Sequence, residues 1–206
     1  VVGGFSANGD TILPILEKAG ISWIAPPVIS AAELSSKFSY PIVPGVIAQA
    51  GLGAKAAEDG CDKVANVMYD LPSSGSVKEL GNVGLASQGH APATVVPVPP
   101  TTTDFSSIAQ EISDYDCAIM SIPSGPLTGV AAAGASLGSK TKYYAFPGTL
   151  TDSAISQAGG ALDSAVTMSP FPPSGDAVWD DAKKIVGDMS SEEKDRKSTR
   201  LNSSHV

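Results

Sequence analysis

Histidine and cysteine are scarce in this sequence. His90 and His205 are its two histidines and Cys61 and Cys117 its two cysteines, all isolated, so no ligand spacing for zinc or iron is assembled. Neither a metal nor a cofactor is expected. Catalytic constellations are equally thin. There is no Gly-x-Ser-x-Gly elbow, and His90 lies in the polar stretch "SQGHAPA", where a solvated loop histidine is the better account than a general base. The chain is therefore not expected to be an enzyme. Basic residues are also short, 13 Lys and Arg against 21 Asp and Glu for a net charge of −8, which disfavours nucleic acid and anionic membrane as partners. No apolar run approaches the ~18 to 20 residues of a membrane-spanning helix.

What the sequence does have is apolar content and turns. Hydrophobic residues make up 42% of 206, with 21 glycines and 16 prolines, enough for a sizeable core built from many short elements. Short β-rich runs, "ISWIAP", "DKVANVMYD", "ATVVPVP", "CAIMSIP", "KYYAF" and "SAVTMSP", recur between helical segments. That alternation predicts parallel sheets with crossover helices, an α/β fold. In "DTILPILEKAG" Asp10 is the expected cap, Pro14 is placed in the first turn, Ile12, Ile15, Leu16 and Ala19 share the buried face, and Gly20 ends the helix. In "TTTDFSSIAQEISDYD" Thr103 is the expected N-cap and Phe105, Ile108, Ala109 and Ile112 the buried stripe.

"GLGAKA" at Gly51 to Ala56 imitates a dinucleotide-binding fingerprint, but the residues before it read as helix, not strand. A small-residue helix face is the expectation there. Most carboxylates are scattered over helix faces and turns, although Asp70 ends the strand "VANVMYD", where α/β sheets place ligands. Cys61 and Cys117 each precede a strand of one sheet, so a bridge at the strands' amino ends and a pair of reduced core thiols are both open.

The two ends have their own expectations. "VVGGFSANGD" enters a strand and Gly-rich turn without an initiator Met, as a truncated reading frame would. Asp195 to His205 back-translates into codons resembling a short-read sequencing adapter, so residues 195–206 are expected to be a non-native tail, with a genuine disordered tail as the alternative.

The order of segments resembles a known family, the type I periplasmic-binding-fold substrate-binding proteins of ABC transporters for branched-chain amino acids and amides, LivK-like. "VVGGFSANG…LPILEKAGISWIAPPVISAAEL" is similar to the family's strand, Gly-rich turn, helix and "TSPEL" stretch. "YPIVPGVIAQA" resembles its lobe-crossing segment, with Tyr40, Pro44 and Gln49 in the matching places. "DKVANVMYD", "TTTDFSSIAQEI" and the stretch from "YYAFPGTL" to "SPFPP" follow in the family's order.

The resemblance implies a two-lobed fold, each lobe a mainly parallel sheet flanked by helices, here incomplete. Residues 1–44 and 170–194 would form lobe 1 and residues 45–169 lobe 2. It implies an extracytoplasmic, periplasmic, secreted or lipid-anchored monomer. Such a protein captures a small polar solute between its lobes and delivers it to an ABC permease. A ligand-sensing domain of a receptor or regulator with the same fold is the alternative. Carried over residue by residue, the family's lobe-1 contacts fall on Ser6, Ala7 and Asn8 and on Val28, Ile29 and Ser30. In lobe 2, Ser74 and Ser124 stand where the family has tyrosines, and Gly148 where it has the carboxylate that meets a ligand's ammonium. Losing that partner removes roughly 2 kcal/mol or more of charge-assisted bonding, for which Asp70 or Asp152 could compensate. Amino acids, amides, urea-like solutes, small carboxylates and aromatic acids are all open as ligands.

Overall fold

The computed structural model describes residues 1–3, 8–70, 74–146, 148–168 and 176–187. The chain falls into two compact units, Val1–Met168 and Ser169–Val206.

The first unit opens with a small parallel sheet. Strand β1 (Trp23–Ile24) pairs with β2 (Ser39–Tyr40), Trp23 opposite Ser39 and Ile24 opposite Tyr40. Val2 bridges Ile24 on the other edge, and Pro27 bridges Val43. Trp23 and Ser39 are buried on one face, Trp23 Nε1 donating to the Gly3 carbonyl at 2.8 Å, while Ile24 and Tyr40 are exposed on the other.

Helix α1 (Gly9–Lys18) is capped by Asn8, whose carbonyl accepts the Thr11 and Ile12 amides, both at 3.0 Å. Asp10 is thus inside the helix, and Pro14 lies in its interior, not its first turn. The buried stripe is Gly9 and Leu13, flanked by half-buried Ile12 and Leu16, with Ile15 and Ala19 exposed. Gly20 ends the helix as expected. At φ +68 it donates to Glu17 while Ile21 donates to Leu16 at 2.9 Å, the paired closure that a left-handed residue permits. Helix α2 (Ala31–Ser35) follows β1 and carries a capping box: Ser30 Oγ accepts the Ala32 amide at 3.3 Å, and Glu33 Oε2 accepts the Ser30 amide at 2.6 Å.

A 3-10 turn (Gly45–Ile47) leads into α3 (Ala48–Glu58), and then the main sheet begins. Its strands are β3 (Val64–Tyr69), β4 (Thr94–Val98), β5 (Cys117–Ser121), β6 (Lys142–Ala145) and β7 (Val166–Thr167), all parallel, in the order β4-β3-β5-β6-β7. Between them run α4 (Ser74–Ser87), α5 (Ser106–Ile112), α6 (Ser124–Ser136) and α7 (Asp152–Gln157). Each of the six β-rich runs holds a strand and the segments read as α3 to α6 are helices, but the opening "VVGG", read as a strand, makes only the Val2–Ile24 bridge, with Val1 and Val2 exposed at the sheet's edge. The N-cap of α5 is Phe105, not Thr103, and the Asp104 carboxylate accepts the Ser106 amide at 2.9 Å.

β3 and β5 are buried on both faces, as central parallel strands must be when crossover helices cover them. One face packs Val64, Ile119 and Tyr144 against Leu52, Ala56 and Leu85 of α3 and α4. The other packs Val67, Val96 and Met120 against Ile108 and Ile112 of α5 and Leu127 and Val130 of α6. The "GLGAKA" segment lies in α3 and serves packing. A Cβ on Gly53 would come within 2.2 Å of the Gly81 carbonyl oxygen, and one on Gly84 within 1.9 Å of that of Ala50, so α3 and α4 meet backbone to backbone.

Cys61 and Cys117 form a disulfide, Cα to Cα 5.8 Å, both buried. Gly60, at φ +83, stops α3 and turns Cys61 in beside the start of β3. Above the bridge, Asp59 accepts hydrogen bonds from Lys55 and Lys142, both at 2.7 Å, and from the Tyr144 hydroxyl. These donors, Lys142 foremost, hold the Asp59 carboxyl well below its usual range. Burial and then Asp59 push the Tyr144 hydroxyl up.

Of the second unit, residues 176–187 are described. Asp176 accepts the Val178 amide at 2.9 Å and starts a 3-10 turn (Ala177–Trp179). Helix α8 (Asp180–Gly187) follows, with Asp180 and Asp181 at its positive end and Lys184 near its negative end. Among the described residues, no helix is long and apolar enough to cross a membrane, and no group of three metal-ligating side chains gathers.

Candidate functional site

The main sheet has a topological switch point. From β3 the chain steps out to β4 on one side, then returns to β5 on the other and continues outward through β6 and β7. Helix α4 leaves β3 on one face and α6 leaves β5 on the other, which opens a crevice outside the carboxyl ends of these two strands, the place where such sheets bind ligands.

Three of the residues expected in lobe 2 lie along this carboxyl edge. Ser74 begins α4 just beyond β3, its hydroxyl donating to the Tyr69 carbonyl at 2.6 Å. Ser124 begins α6 beyond β5, its hydroxyl donating to the Thr149 carbonyl at 2.6 Å. That bond ties the α6 start to the turn after β6, where Gly148 stands at φ +83 and a Cβ would meet nothing within 4 Å. Asp70 follows β3 with its amide on the Val98 carbonyl at 3.0 Å and is exposed, and Asp152 starts α7, also exposed.

The lobe-1 candidates form a second cluster. Asn8 caps α1, Ser30 caps α2, and Val28 is buried with its carbonyl accepting the Val46 amide at 2.7 Å. The Ile29 amide points at Glu33 Oε2, 3.4 Å away. Ser6 and Ala7 lie outside the described residues. Ala25, just past β1, holds φ +59, a left-handed conformation uncommon outside glycine, and its amide donates to the Tyr40 carbonyl at 2.8 Å. This bend directs the chain into the 26–30 turn.

A chain of contacts joins the two clusters. Gly45 fits against Val28, where a Cβ would meet the Val28 carbonyl oxygen at 1.9 Å. The helix that follows brings Gln49 Nε2 to Ser121 Oγ at 3.0 Å, and Ser121 donates to Asn66 Oδ1 at 2.9 Å. Gln49 and Asn66 are fully buried, Asn66 in the middle of β3 and its partner Ser121 at the carboxyl end of β5. Gln49 Oε1 and Asn66 Nδ2 have no hydrogen-bond partner. From the sequence Gln49 has no assigned role, and Asn66, Ser121 and Glu33 do not stand out. Their signals are a polar residue inside the apolar runs "VANVMY" and "CAIMS", and the Ser-x-x-Glu spacing of "SAAE".

The groups at these positions are hydroxyls, backbone amides and carbonyls, which donate and accept hydrogen bonds. His90 follows α4, which runs back against the strands, so it lies at the opposite edge of the sheet. A depression of about 450 Å³ also lies at that amino-terminal edge, lined by Asp62, Lys63, Thr94, Glu111, Asp114 and Tyr115. It is away from the switch-point crevice and shares no residue with it.

Comparison with known proteins agrees with this architecture. No curated protein matches the chain. Among solved structures, a leucine-binding protein LivK from Thermotoga maritima superimposes with a TM-score of 0.73 at 15% identity, over 89% of this chain and 55% of that one. A solute-binding protein of an ABC transporter from R. palustris, in complex with benzoate, gives 0.70 at 16% identity over 88% and 52%. An R. palustris protein in complex with 4-hydroxybenzoate gives 0.60 at 21% over 77% and 45%. At these identities the likeness is one of fold, the type I periplasmic binding fold, of which the chain spans about half the length of its solved relatives. A family model described as "Periplasmic binding protein" matches residues 1–201, into the stretch read as a non-native tail. That match spans nearly the whole chain, and the chain belongs to the periplasmic binding protein family.

Proposed function

We propose that the protein is the solute-binding component of an ABC transporter, working outside the cytoplasm. It holds a small polar solute between two lobes and presents it to a membrane permease. In this proposal residues 1–44 and 170–194 belong to one lobe and 45–169 to the other. Asn8, Val28, Ile29 and Ser30, with Ser6 and Ala7, line one side of the solute, and Ser74, Ser124 and Gly148 the other.

The observation that carries this reading is the reversal of strand order between β3 and β5, which gathers the starts of α4 and α6 and the turn at Gly148 on one edge. Solved proteins of similar fold are described as leucine-binding and as complexes with benzoate and 4-hydroxybenzoate. Gly148 offers no carboxylate to an ammonium, so uncharged amides and carboxylic acids without an amino group fit this edge better than α-amino acids. The anionic end of such a solute would find backbone N–H groups at the helix starts.

The test is a thermal-shift panel on the full gene product with leucine, acetamide, urea, benzoate and 4-hydroxybenzoate. A solute at a hundred times its Kd stabilises the folded form by about 2.7 kcal/mol, a shift of several degrees. An upward shift with benzoate or an amide and none with leucine is the expected result. No shift with any compound in the panel would count against solute binding, and a shift with leucine alone would overturn the solute class.

A further inference from the structure

Glu33 is the only charged side chain fully buried among the described residues, at 1% exposure. None of the ion pairs among those residues includes it: lysines 55, 142 and 183 pair with Glu58, Asp59 and Asp180. Its two oxygens do different things. Oε2 accepts the Ser30 amide at 2.6 Å, lies 3.4 Å from the Ile29 amide, and is 2.8 Å from the Ser30 hydroxyl, which also lies 2.8 Å from Asp10 Oδ1. Oε1 has no hydrogen-bond partner and is pressed against Gly9, the first residue of α1, where a Cβ would come within 1.6 Å of it. An unpaired carboxylate taken out of water is expensive. Here it is offset by the amides of one turn and by the positive end of α1, so the side chain stands wedged between the two segments.

We infer that Glu33 is a positioning residue. It fastens the Val28–Ser30 turn to the first turn of α1, and so sets the spacing between the two chain segments that face the solute from one side. The inference rests on the solute-binding reading for its purpose but not for its geometry. Ser30 Oγ accepts the Ala32 amide and has a single proton for two acceptors, Asp10 Oδ1 of α1 and Glu33 Oε2, so it alone is a weak tie between the segments. Glu33 adds the bond that accepts the Ser30 amide, and Gly9 is the residue without a side chain that lets it approach α1.

Amide exchange followed by NMR on this chain and on Glu33→Ala, Glu33→Gln and Gly9→Ala separates positioning from general stability. Glu33→Ala and Gly9→Ala should each speed exchange at Ile29, Ser30, Thr11 and Ile12 by tenfold or more. The β5 amides Ala118 to Met120 should stay within about twofold. Glu33→Gln, whose carbonyl can still accept from Ser30, should restore protection at Ile29 and Ser30 to within about threefold of wild type. The Glu33→Ala/Gly9→Ala double variant should be no faster than either single one, because each removes the same contact. Uniform acceleration in every variant, or none at the four named amides, overturns the inference. In parallel, benzoate and leucine are titrated into the full gene product and its Glu33→Ala form. If the wild type binds either probe and the variant binds it within twofold, the positioning role is wrong even where exchange changed. If neither these probes nor acetamide or urea binds the wild type, the solute reading fails by itself, and the exchange pattern still decides whether Glu33 holds the two segments.

Discussion

At the scale of single residues, the best-defined interaction is the group around Asp59. Three donors converge on one carboxylate, Lys142, Lys55 and the Tyr144 hydroxyl, next to the buried disulfide. Because the Asp59 carboxyl is held below its ordinary value near 3.8, folding favours the ionised form. The stability it contributes is complete above that ordinary value and is lost as pH falls from there toward the folded one. Asp59→Asn should therefore lower the melting temperature at pH 7, and the gap from wild type should narrow as pH is taken below 4. Melting curves at pH 7, 5 and 3 check this; a gap of constant size would mean that the charge is not what Asp59 contributes. Little of this was legible in the sequence, since Asp59 and Lys142 are 83 residues apart. By contrast, the local Ser-x-x-Glu spacing of Ser30 and Glu33 was there to be read, though not the burial that makes Glu33 unusual.

At the scale of elements, α3 and α4 show how composition becomes packing. Their glycines give up helix propensity, about 1 kcal/mol each, in exchange for a backbone approach that no side chain would allow. Gly84→Ala should lower stability by about 2 kcal/mol or more despite the better helix former, because its Cβ would meet the Ala50 carbonyl oxygen at 1.9 Å and backbone cannot swing aside. Gly75→Ala in the same helix meets nothing within 4 Å and should be neutral or slightly stabilising. Urea denaturation of both variants measures the contrast, and equal effects would show that the helices do not meet at that point. Of the six β-rich runs, those of β3 and β5 were the plainest, because burial on both faces demands apolar residues along the whole strand. β2 was not recognised, and neither were α2 and α7, five and six residues long and too short to show a period. The buried stripe of α1 shifted by one position to Gly9 and Leu13 because Glu33 of α2 packs on that side, which the helix's own periodicity does not record.

At the scale of the molecule, the disulfide is the covalent tie of the main sheet. It joins the end of α3 to the start of β5, 56 residues on, and a loop of that length restricts the unfolded chain by about 4 kcal/mol in the chain-entropy model, within a usual span of about 2 to 5. Cys61→Ser/Cys117→Ser should lose stability of that order. Both sulfurs are buried, so thiol labelling of the native protein by maleimide after mild reductant should be slow and should accelerate on adding urea. A double variant as stable as wild type would show that the bridge is not a stabilising tie. An oxidising compartment outside the cytoplasm, where such bridges persist, accords with the proposed role.

The sequence by itself determined the class of fold and the order of its parts. Apolar runs alternating with helices, glycine stops and the succession of segments are local or sequential properties, and a parallel α/β chain in this family's order follows from them. The family resemblance, carried over residue by residue, singled out Ser74, Ser124 and Gly148, and the structure has each of them just beyond the carboxyl end of a strand. Only the tertiary structure decided which strand ends are neighbours, and hence that the order reverses between β3 and β5 and puts a crevice there. It alone closed Cys61 onto Cys117, threaded Gln49 to Asn66 through Ser121, and set Glu33 against Gly9. Each of these depends on the distance in space between residues far apart in sequence, which packing of the whole sheet and its helices fixes and no local pattern encodes.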